Sequence, residues 1–433
     1  MSDPGNYRPI SLTCILCKLL EKHICGLIEH HLSNSHQLSN HQWGFRAGRS
    51  TVNALLSVTQ DWVYALDNGK EIAAVFFDYK KAFDSVPHQP LVRKLEDLNL
   101  NPFVLQWVKD YLTNRSQYVV INGASSQPSA VVSGVPQGSV LGPLLFIIYI
   151  NDLLEQNLMA GSALHIYADD ILLYRTINSE HDYVLLQSDI NTITSWSSAN
   201  FLTLNKSKCK FMILSRRRSP TSPVTPLAID DHPLEHVSNY KYLGVHLSSD
   251  LSWSTHIQSI TAKARKVLGL LYRKFYNFSP PDVLVHLYLS LVRPLLEYAA
   301  VVWSPHLKNI LELENVQKFG LRMATKLWQY PYQYVLQRTQ ITTLENRRNI
   351  AHLCELFKII HKISCTECTV NLKPIYSHRT SHHLTLCRPF CHTNLHYYSF
   401  LPFAVFLWNN LDSSVVSSSS LQFFKSSISN MCS

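Results

Sequence analysis

Ala73-Ala74-Val75-Phe76-Phe77-Asp78, and Tyr167-Ala168-Asp169-Asp170 inside the run Ser162 to Arg175, decide how this chain is read. Each puts carboxylates at the tip of an apolar stretch, where an unpaired charge is costly. Glu71 to Phe77 has the continuous apolar character of a buried strand, with Asp78 at its exit. Ser162 to Arg175 reads as strand, turn, strand. Three acids converging at the ends of buried strands, in a chain with only 16% charged residues, call for a counter-charge, and a pair of divalent cations supplies it most simply. An isolated Asp-Asp in a turn is more often plain solvated surface, so the surrounding pattern has to decide.

Outward from these stretches, Leu12 to Leu32 has helical spacing, with Leu16, Leu19, Leu20, Ile24, Leu27 and Ile28 on one apolar face. A polar stretch, Gln42 to Thr51, leads into a second helix from about Val52 to Leu66, with Ser50 or Thr51 as its cap. Pro87 to Asn99 and Pro102 to Leu112 are predicted helices, and Gln117 to Asn122 with Ala130 to Ser133 predicted hairpin strands. Val135-Pro136-Gln137-Gly138 breaks the pattern and opens a helix from Ser139 to Leu153. Asp189 to Asn200 is expected as helix and Lys210 to Ser215 as strand. Arg216-Arg217-Arg218, followed by Pro220, Pro223 and Pro226, is the best domain seam. His236 to Val245 reads as a hairpin and Ser254 to Phe275 as a helix. Beyond Pro280 the chain is helical to about Ile363, then loses periodicity.

The chain has 433 residues, 46% of them hydrophobic, which suits a globular protein of several domains. Its longest apolar run, Val140 to Ile150, is too short for a membrane span. No signal-peptide pattern opens the sequence, and ten scattered cysteines do not form a secreted disulfide framework. An intracellular setting with reduced thiols and no membrane partner is expected. The net charge of +9 is unevenly placed: residues 1–205 hold 13 Lys and Arg against 18 Asp and Glu, and residues 206–433 hold 26 against 12. An acidic half beside a basic half fits an enzyme whose affinity for nucleic acid rests on backbone phosphates; a solvated basic surface is the rival reading.

Three runs now resemble motifs A, B and C of reverse transcriptases, in order and spacing: Phe76 to Asp84, Ser133 to Phe146, and Tyr167 to Asp170. Asn6-Tyr7-Arg8-Pro9-Ile10-Ser11-Leu12 and Gln42-Trp43-Gly44-Phe45-Arg46 make the chain similar to enzymes of non-LTR (LINE) retrotransposons of the Jockey and CR1 kind. The tail, Phe400-Leu401-Pro402 through Leu407-Trp408-Asn409-Asn410-Leu411 to Phe424-Lys425, resembles the end of those reading frames. The resemblance implies further fingers sequence and an endonuclease domain upstream, so an N-terminally truncated copy is expected. It implies an α+β right-hand polymerase: partial fingers at 1–70, a palm at 71–215, a linker and primer-grip hairpin at 216–250, a helical thumb at 251–330, and a mostly helical C-terminal region at 331–433.

By the same resemblance Asp78, Asp169 and Asp170 are the metal ligands, joined by the Tyr79 carbonyl, for two Mg²⁺ that Mn²⁺ can replace. Lys208 fits the lysine that protonates pyrophosphate, with Lys206 and Lys210 as competing registers. Phe83 takes the place of a ring beneath the sugar that favours dNTPs; an ordinary core Phe is the rival. Gln137 and Gly138 match the turn that approaches the incoming nucleotide, and Arg8 and Arg46 suit its triphosphate. Tyr242, Leu243 and Gly244 fit the primer grip. Lys263, Lys266, Arg273 and Lys274 form one stripe of a helix, anchored by Leu268, Leu271 and Phe275, that suits the duplex backbone; a solvent-facing basic helix is the alternative. Cys365, Cys368, Cys387 and Cys391 have zinc-like spacing, but match the family tail better than a zinc knuckle. The implied function is RNA-directed DNA synthesis from a primer 3′-hydroxyl, with template RNA, primer DNA and dNTPs as partners, in the nucleus and in cytoplasmic ribonucleoprotein. The alternative is a silent or domesticated copy that at most binds RNA.

Overall fold

The computed structural model describes residues 10–305, 309–364 and 384–431. Arg8, Cys365 and Cys368 lie outside the described residues. The chain divides into two compact units, one of Met1–Ala47, Ala73–Ile213 and Thr221–Val237, the other of Gly48–Ile72, Leu214–Pro220 and Ser238–Ser433. Residues 48–70, expected with the partial fingers, cluster with the second unit.

The first unit is built on a sheet of five strands: β1 (Glu71–Phe77), β2 (Ser162–Tyr167), β3 (Asp170–Ile177), β4 (Lys210–Leu214) and β5 (Glu235–His236), in the order β5-β4-β1-β3-β2. All seven residues of β1 are buried, because a central strand covered on both faces has no side to give to water. β2 and β3 pair antiparallel from Ser162 with Arg175 to Tyr167 with Asp170. Helices α1 (Ile15–Ser35), α3 (His88–Asp97), α4 (Pro102–Leu112), α5 (Gly142–Ile150) and α6 (His181–Ala199) belong to this unit, with α2 (Thr51–Asp67) in the other. Val75, Phe77, Leu91, Val108, Ile147 and Ile190 share one core.

Three expectations need correction here. α1 buries Glu21, Ile24, Cys25, Ile28 and Leu32, while Leu16, Leu19, Leu20 and Leu27 are exposed; the helix carries more apolar residues than one face holds, and the buried stripe includes a carboxyl group. The hairpin reverses at Asn122-Gly123, both at positive φ, pairing Ile121 with Ala124 and Gln117 with Ser129. Its return strand therefore begins near residue 124, as an Asn-Gly turn dictates. The helix expected from Ser139 to Leu153 is confined to Gly142–Ile150 and followed by a 3₁₀ stretch, Asn151–Glu155.

In the second unit, the Ser50 hydroxyl caps α2 by accepting from the Asn53 amide at 3.2 Å. β6 (Asn239–Tyr242) and β7 (Val245–Ser248) form the hairpin, shifted three residues beyond the expected His236 to Val245 because His236 belongs to β5, and α7 spans Ser254–Phe275, as expected. Beyond residue 363, where periodicity fades, the described chain still forms helices Phe400–Asn409 and Leu421–Met431. What periodicity could not show is the anchor. Asp67, at the end of α2, accepts from the Thr393 hydroxyl at 2.7 Å and the His392 amide at 3.0 Å, and pairs with His396 Nδ1 at 2.8 Å. Burial alone would raise the Asp67 pKa, but these donors together hold it below the ordinary carboxylate value. No described helix is long and apolar enough to cross a membrane.

A group held below its unfolded pKa lends stability that is present at neutral pH and lost as pH falls through its folded value. Asp67→Ala should therefore destabilise the protein by about 1–3 kcal/mol at pH 7. Denaturant titrations should show the gap closing below the ordinary carboxylate value; a gap that persists unchanged under acid would contradict this anchor.

Candidate active site

Asp78 follows the last residue of β1, and its backbone is fastened on both sides. The Asn205 amide donates to the Asp78 carbonyl at 2.7 Å and the Lys80 amide to the Thr203 carbonyl at 2.9 Å, bracketing the antiparallel bridge between Tyr79 and Leu204. These bonds leave the Tyr79 carbonyl out of the ladder. The Asp78 amide donates to Cys209 Sγ at 3.4 Å, and burial pushes the Cys209 thiol up to about 11, so it stays protonated. The Tyr79 hydroxyl pairs with Ser197 Oγ at 2.8 Å.

The same loop carries the three lysines of the candidate register. Lys208 Nζ lies 3.9 Å from Asp78 Oδ2. Lys206 instead pairs with Asp230 at 2.7 Å and Lys210 with Glu235 at 2.5 Å. Of the three, Lys208 alone forms an ion pair with a residue of the carboxylate set.

Asp169 and Asp170 sit where β2 turns into β3, and β3 is the neighbour of β1. Asp169 is half-buried and Asp170 exposed. Ala168 takes φ 57°, a left-handed conformation that disfavours residues with a Cβ, and the chain before α2 braces it. The Trp43 amide donates to the Ile166 carbonyl at 2.8 Å and the Ile166 amide to the His41 carbonyl at 3.0 Å, so residues 41–43 run parallel along β2. Gly44 then meets the turn so closely that a Cβ would stand 2.5 Å from the Ala168 nitrogen. Behind the turn, Trp43 Nε1 donates to His165 Nδ1 at 3.2 Å and Tyr174 Oη lies 3.3 Å from His165 Nε2. Burial, helped by His41, lowers the His165 pKa to about 3, which keeps the ring neutral.

The Gln137-Gly138 turn is held as firmly. Gly138 has φ 98°, and a Cβ there would lie 2.7 Å from the Ser11 carbonyl oxygen, while the Ser11 amide donates to the Gln137 carbonyl at 2.6 Å. Gln137 Nε2 donates to Asp84 Oδ1 at 3.3 Å. Phe83 stacks on Phe146 with centroids 4.3 Å apart and meets Phe45 edge-on at 6.1 Å; its backbone carbonyl accepts from the Val135 amide at 2.8 Å. Arg46 Nη1 donates to the Ser39 carbonyl and, at 3.3 Å, to that of Gln42, so part of its guanidinium braces its own loop.

Residues 2–247 match the family described as reverse transcriptase (RNA-dependent DNA polymerase). The chain belongs to the reverse transcriptase family. It is 32% identical over 335 residues to the probable RNA-directed DNA polymerase from transposon BS of Drosophila melanogaster, covering 75% of this chain and 36% of that protein. It is 31% identical over 326 residues to the RNA-directed DNA polymerase from mobile element jockey of Drosophila funebris, covering 72% and 35%. The chain thus spans about a third of the length of these relatives. Among solved structures it is similar to apo telomerase from Candida tropicalis, with TM-score 0.44 and 10% identity over 80% of this chain and 54% of that one.

In this member of the family, Asp78, Asp169 and Asp170 are hard oxygen donors, the donor type that Mg²⁺ and Mn²⁺ take. They stand on neighbouring strands; among the described residues no three His, Cys, Asp or Glu side chains are drawn close enough to hold a metal ion as they stand. In the second unit, Tyr242 is buried, and Leu243 and Gly244 form the two-residue turn of the hairpin, both at positive φ, with the Leu243 carbonyl accepting from the Tyr298 hydroxyl at 2.9 Å. Lys263, Lys266, Arg273 and Lys274 are exposed, and Ile260, Ala264, Leu268 and Leu271 make the opposite, buried side of α7. Phe275, expected as an apolar anchor, is 41% exposed, because it falls at the end of the helix, past the last buried turn. Cys387 is exposed and Cys391 half-buried.

Sequence reasoning missed Gly44, Cys209 and Trp43 as supports of the site. Gly44 lay within a quoted motif, but its role depends on a residue more than a hundred positions away. Gly44→Ala should leave the protein folded yet lower primer-extension kcat at least about tenfold, since the new methyl must displace the turn that carries Asp169. Lys208→Ala should lower kcat by about 10²–10⁴-fold, the usual range for a general acid, and Lys206→Ala and Lys210→Ala should not. Equal losses at all three lysines would refute the register.

Proposed function

We propose that this chain adds dNTPs to the 3′-hydroxyl of a primer under the direction of an RNA template. The observation that carries the reading is the placing of Asp78 and Asp169-Asp170 on adjoining strands of one sheet, with Lys208 paired to Asp78. In the reaction the 3′-oxygen forms a bond to the α-phosphorus as the bond to the bridging oxygen breaks, and pyrophosphate leaves. Asp78, Asp169 and Asp170, with the Tyr79 carbonyl, would hold Mg²⁺, or Mn²⁺ in its place, which neutralises phosphate charge and favours ionisation of the hydroxyl. Lys208 gives its proton to the departing pyrophosphate.

The remaining residues bind and select. The ring of Phe83, locked between Phe146 and Phe45, presents a fixed wall to the sugar and excludes a 2′-hydroxyl. Gln137 and Gly138 bring bare backbone to the incoming nucleotide, and Arg8 and Arg46 meet its triphosphate. Tyr242, Leu243 and Gly244 steady the primer end, and the basic stripe Lys263, Lys266, Arg273 and Lys274 contacts duplex phosphates. Residues 71–215 then act as palm and 251–330 as thumb, with 1–70, 216–250 and 331–433 as partial fingers, linker with grip, and C-terminal region.

Primer extension on poly(rA) with oligo(dT), dTTP and Mg²⁺ tests this. The wild-type chain should extend, Asp169→Asn/Asp170→Asn should not, and Phe83→Ala should raise the use of rUTP relative to dTTP by about tenfold or more. Absence of extension by folded wild-type protein would overturn the catalytic reading and leave a copy that at most binds RNA.

A further inference from the structure

Among the polar groups wholly removed from water in the first unit is a carboxyl group that the reaction does not use. Glu21, on α1, is 0% exposed, and an ionised side chain in that position needs several donors. They come from the start of α5. Glu21 Oε2 accepts from the amides of Val140 at 2.6 Å and Leu141 at 3.0 Å, and Oε1 accepts from Cys17 Sγ at 3.2 Å. α5 begins at Gly142 with no capping side chain from its own N-cap residue, Leu141. The amides before and at its first turn are therefore satisfied from elsewhere: Val140 and Leu141 by Glu21, Gly142 by Ser139 Oγ at 2.9 Å, while Pro143 has none to give.

We infer that Glu21 is a positioning residue for nucleotide binding, acting through the Gln137-Gly138 turn. This rests on the reading of that turn as part of the dNTP site. Only Ser139 separates Gly138 from the two amides that Glu21 holds, and Ser139 is itself bonded to the Pro136 carbonyl through both its amide and its hydroxyl. On the other side, Ser11, four residues before α1, bonds the Gln137 carbonyl. The turn is thus held between two attachments to α1 and the segment leading into it. Glu21 supplies the one that is charged, and a negative group at a helix N-terminus also suits the helix dipole. Loss of this attachment lets the turn depart from the geometry that receives the nucleotide, so it affects binding before chemistry.

The test uses the full chain. In Glu21→Ala, hydrogen exchange should speed up at Val140 and Leu141 and also at Gln137 and Gly138, and the KM for dTTP on poly(rA)/oligo(dT) should rise about tenfold with kcat within about twofold. Glu21→Gln, which keeps an acceptor oxygen, should recover most of the wild-type KM and guards against a variant that fails to fold. Unchanged exchange at Gln137 and Gly138 overturns the inference whether or not the chain extends primers. So does an unchanged KM in Glu21→Ala if Gly138→Ala raises it. If Gly138→Ala itself leaves KM unchanged, the nucleotide-site reading of the turn fails instead.

Discussion

Asp78 closes a strand whose seven preceding residues are all buried, and this half-buried carboxylate has to be held in place at the edge of the core. Much of the first unit can be understood from this constraint. The loop 203–209 bonds the backbone before and after Asp78 and brings Lys208 to its side chain. β3, the next strand in the sheet, delivers Asp169 and Asp170. Carboxylates on neighbouring strands repel as they are drawn together, so closing the set favours divalent cations in a way a lone surface acid does not.

Rigidity here comes from backbone contacts too close for a side chain to intervene. Gly44 lies against Ala168 and Gly138 against Ser11, each nearer than a Cβ would allow. Both glycines are used for the space they leave, and Gly138 also for its positive φ. The consequence for catalysis is that two turns, one bearing carboxylates and one approaching the nucleotide, are located by segments distant in sequence. Trp43, His165 and Tyr174 extend the same bracing behind the carboxylate turn, with His165 kept neutral by burial.

The parts of this arrangement that were legible in the sequence are those whose cause is local. The apolar run before Asp78, the strand-turn-strand around Asp169-Asp170 and the helix Ser254–Phe275 all declare themselves by period and composition. What was not legible depends on long-range pairing. Nothing in the sequence shows that Lys206 and Lys210 pair with Asp230 and Glu235 while Lys208 faces Asp78. Nothing local marks Glu21, whose partners are amides about 120 residues away. The tie that fastens residues 392–396 to Asp67 of α2 could not be read from either stretch alone.

The central claim is that the three aspartates share divalent cations. Electron paramagnetic resonance of Mn²⁺ titrated into the chain with primer, template and dTTP measures this directly. Specific binding that is present in the wild type and lost in both Asp78→Asn and Asp169→Asn/Asp170→Asn is the predicted result. Mn²⁺ binding of the same stoichiometry and affinity in all three proteins would contradict it.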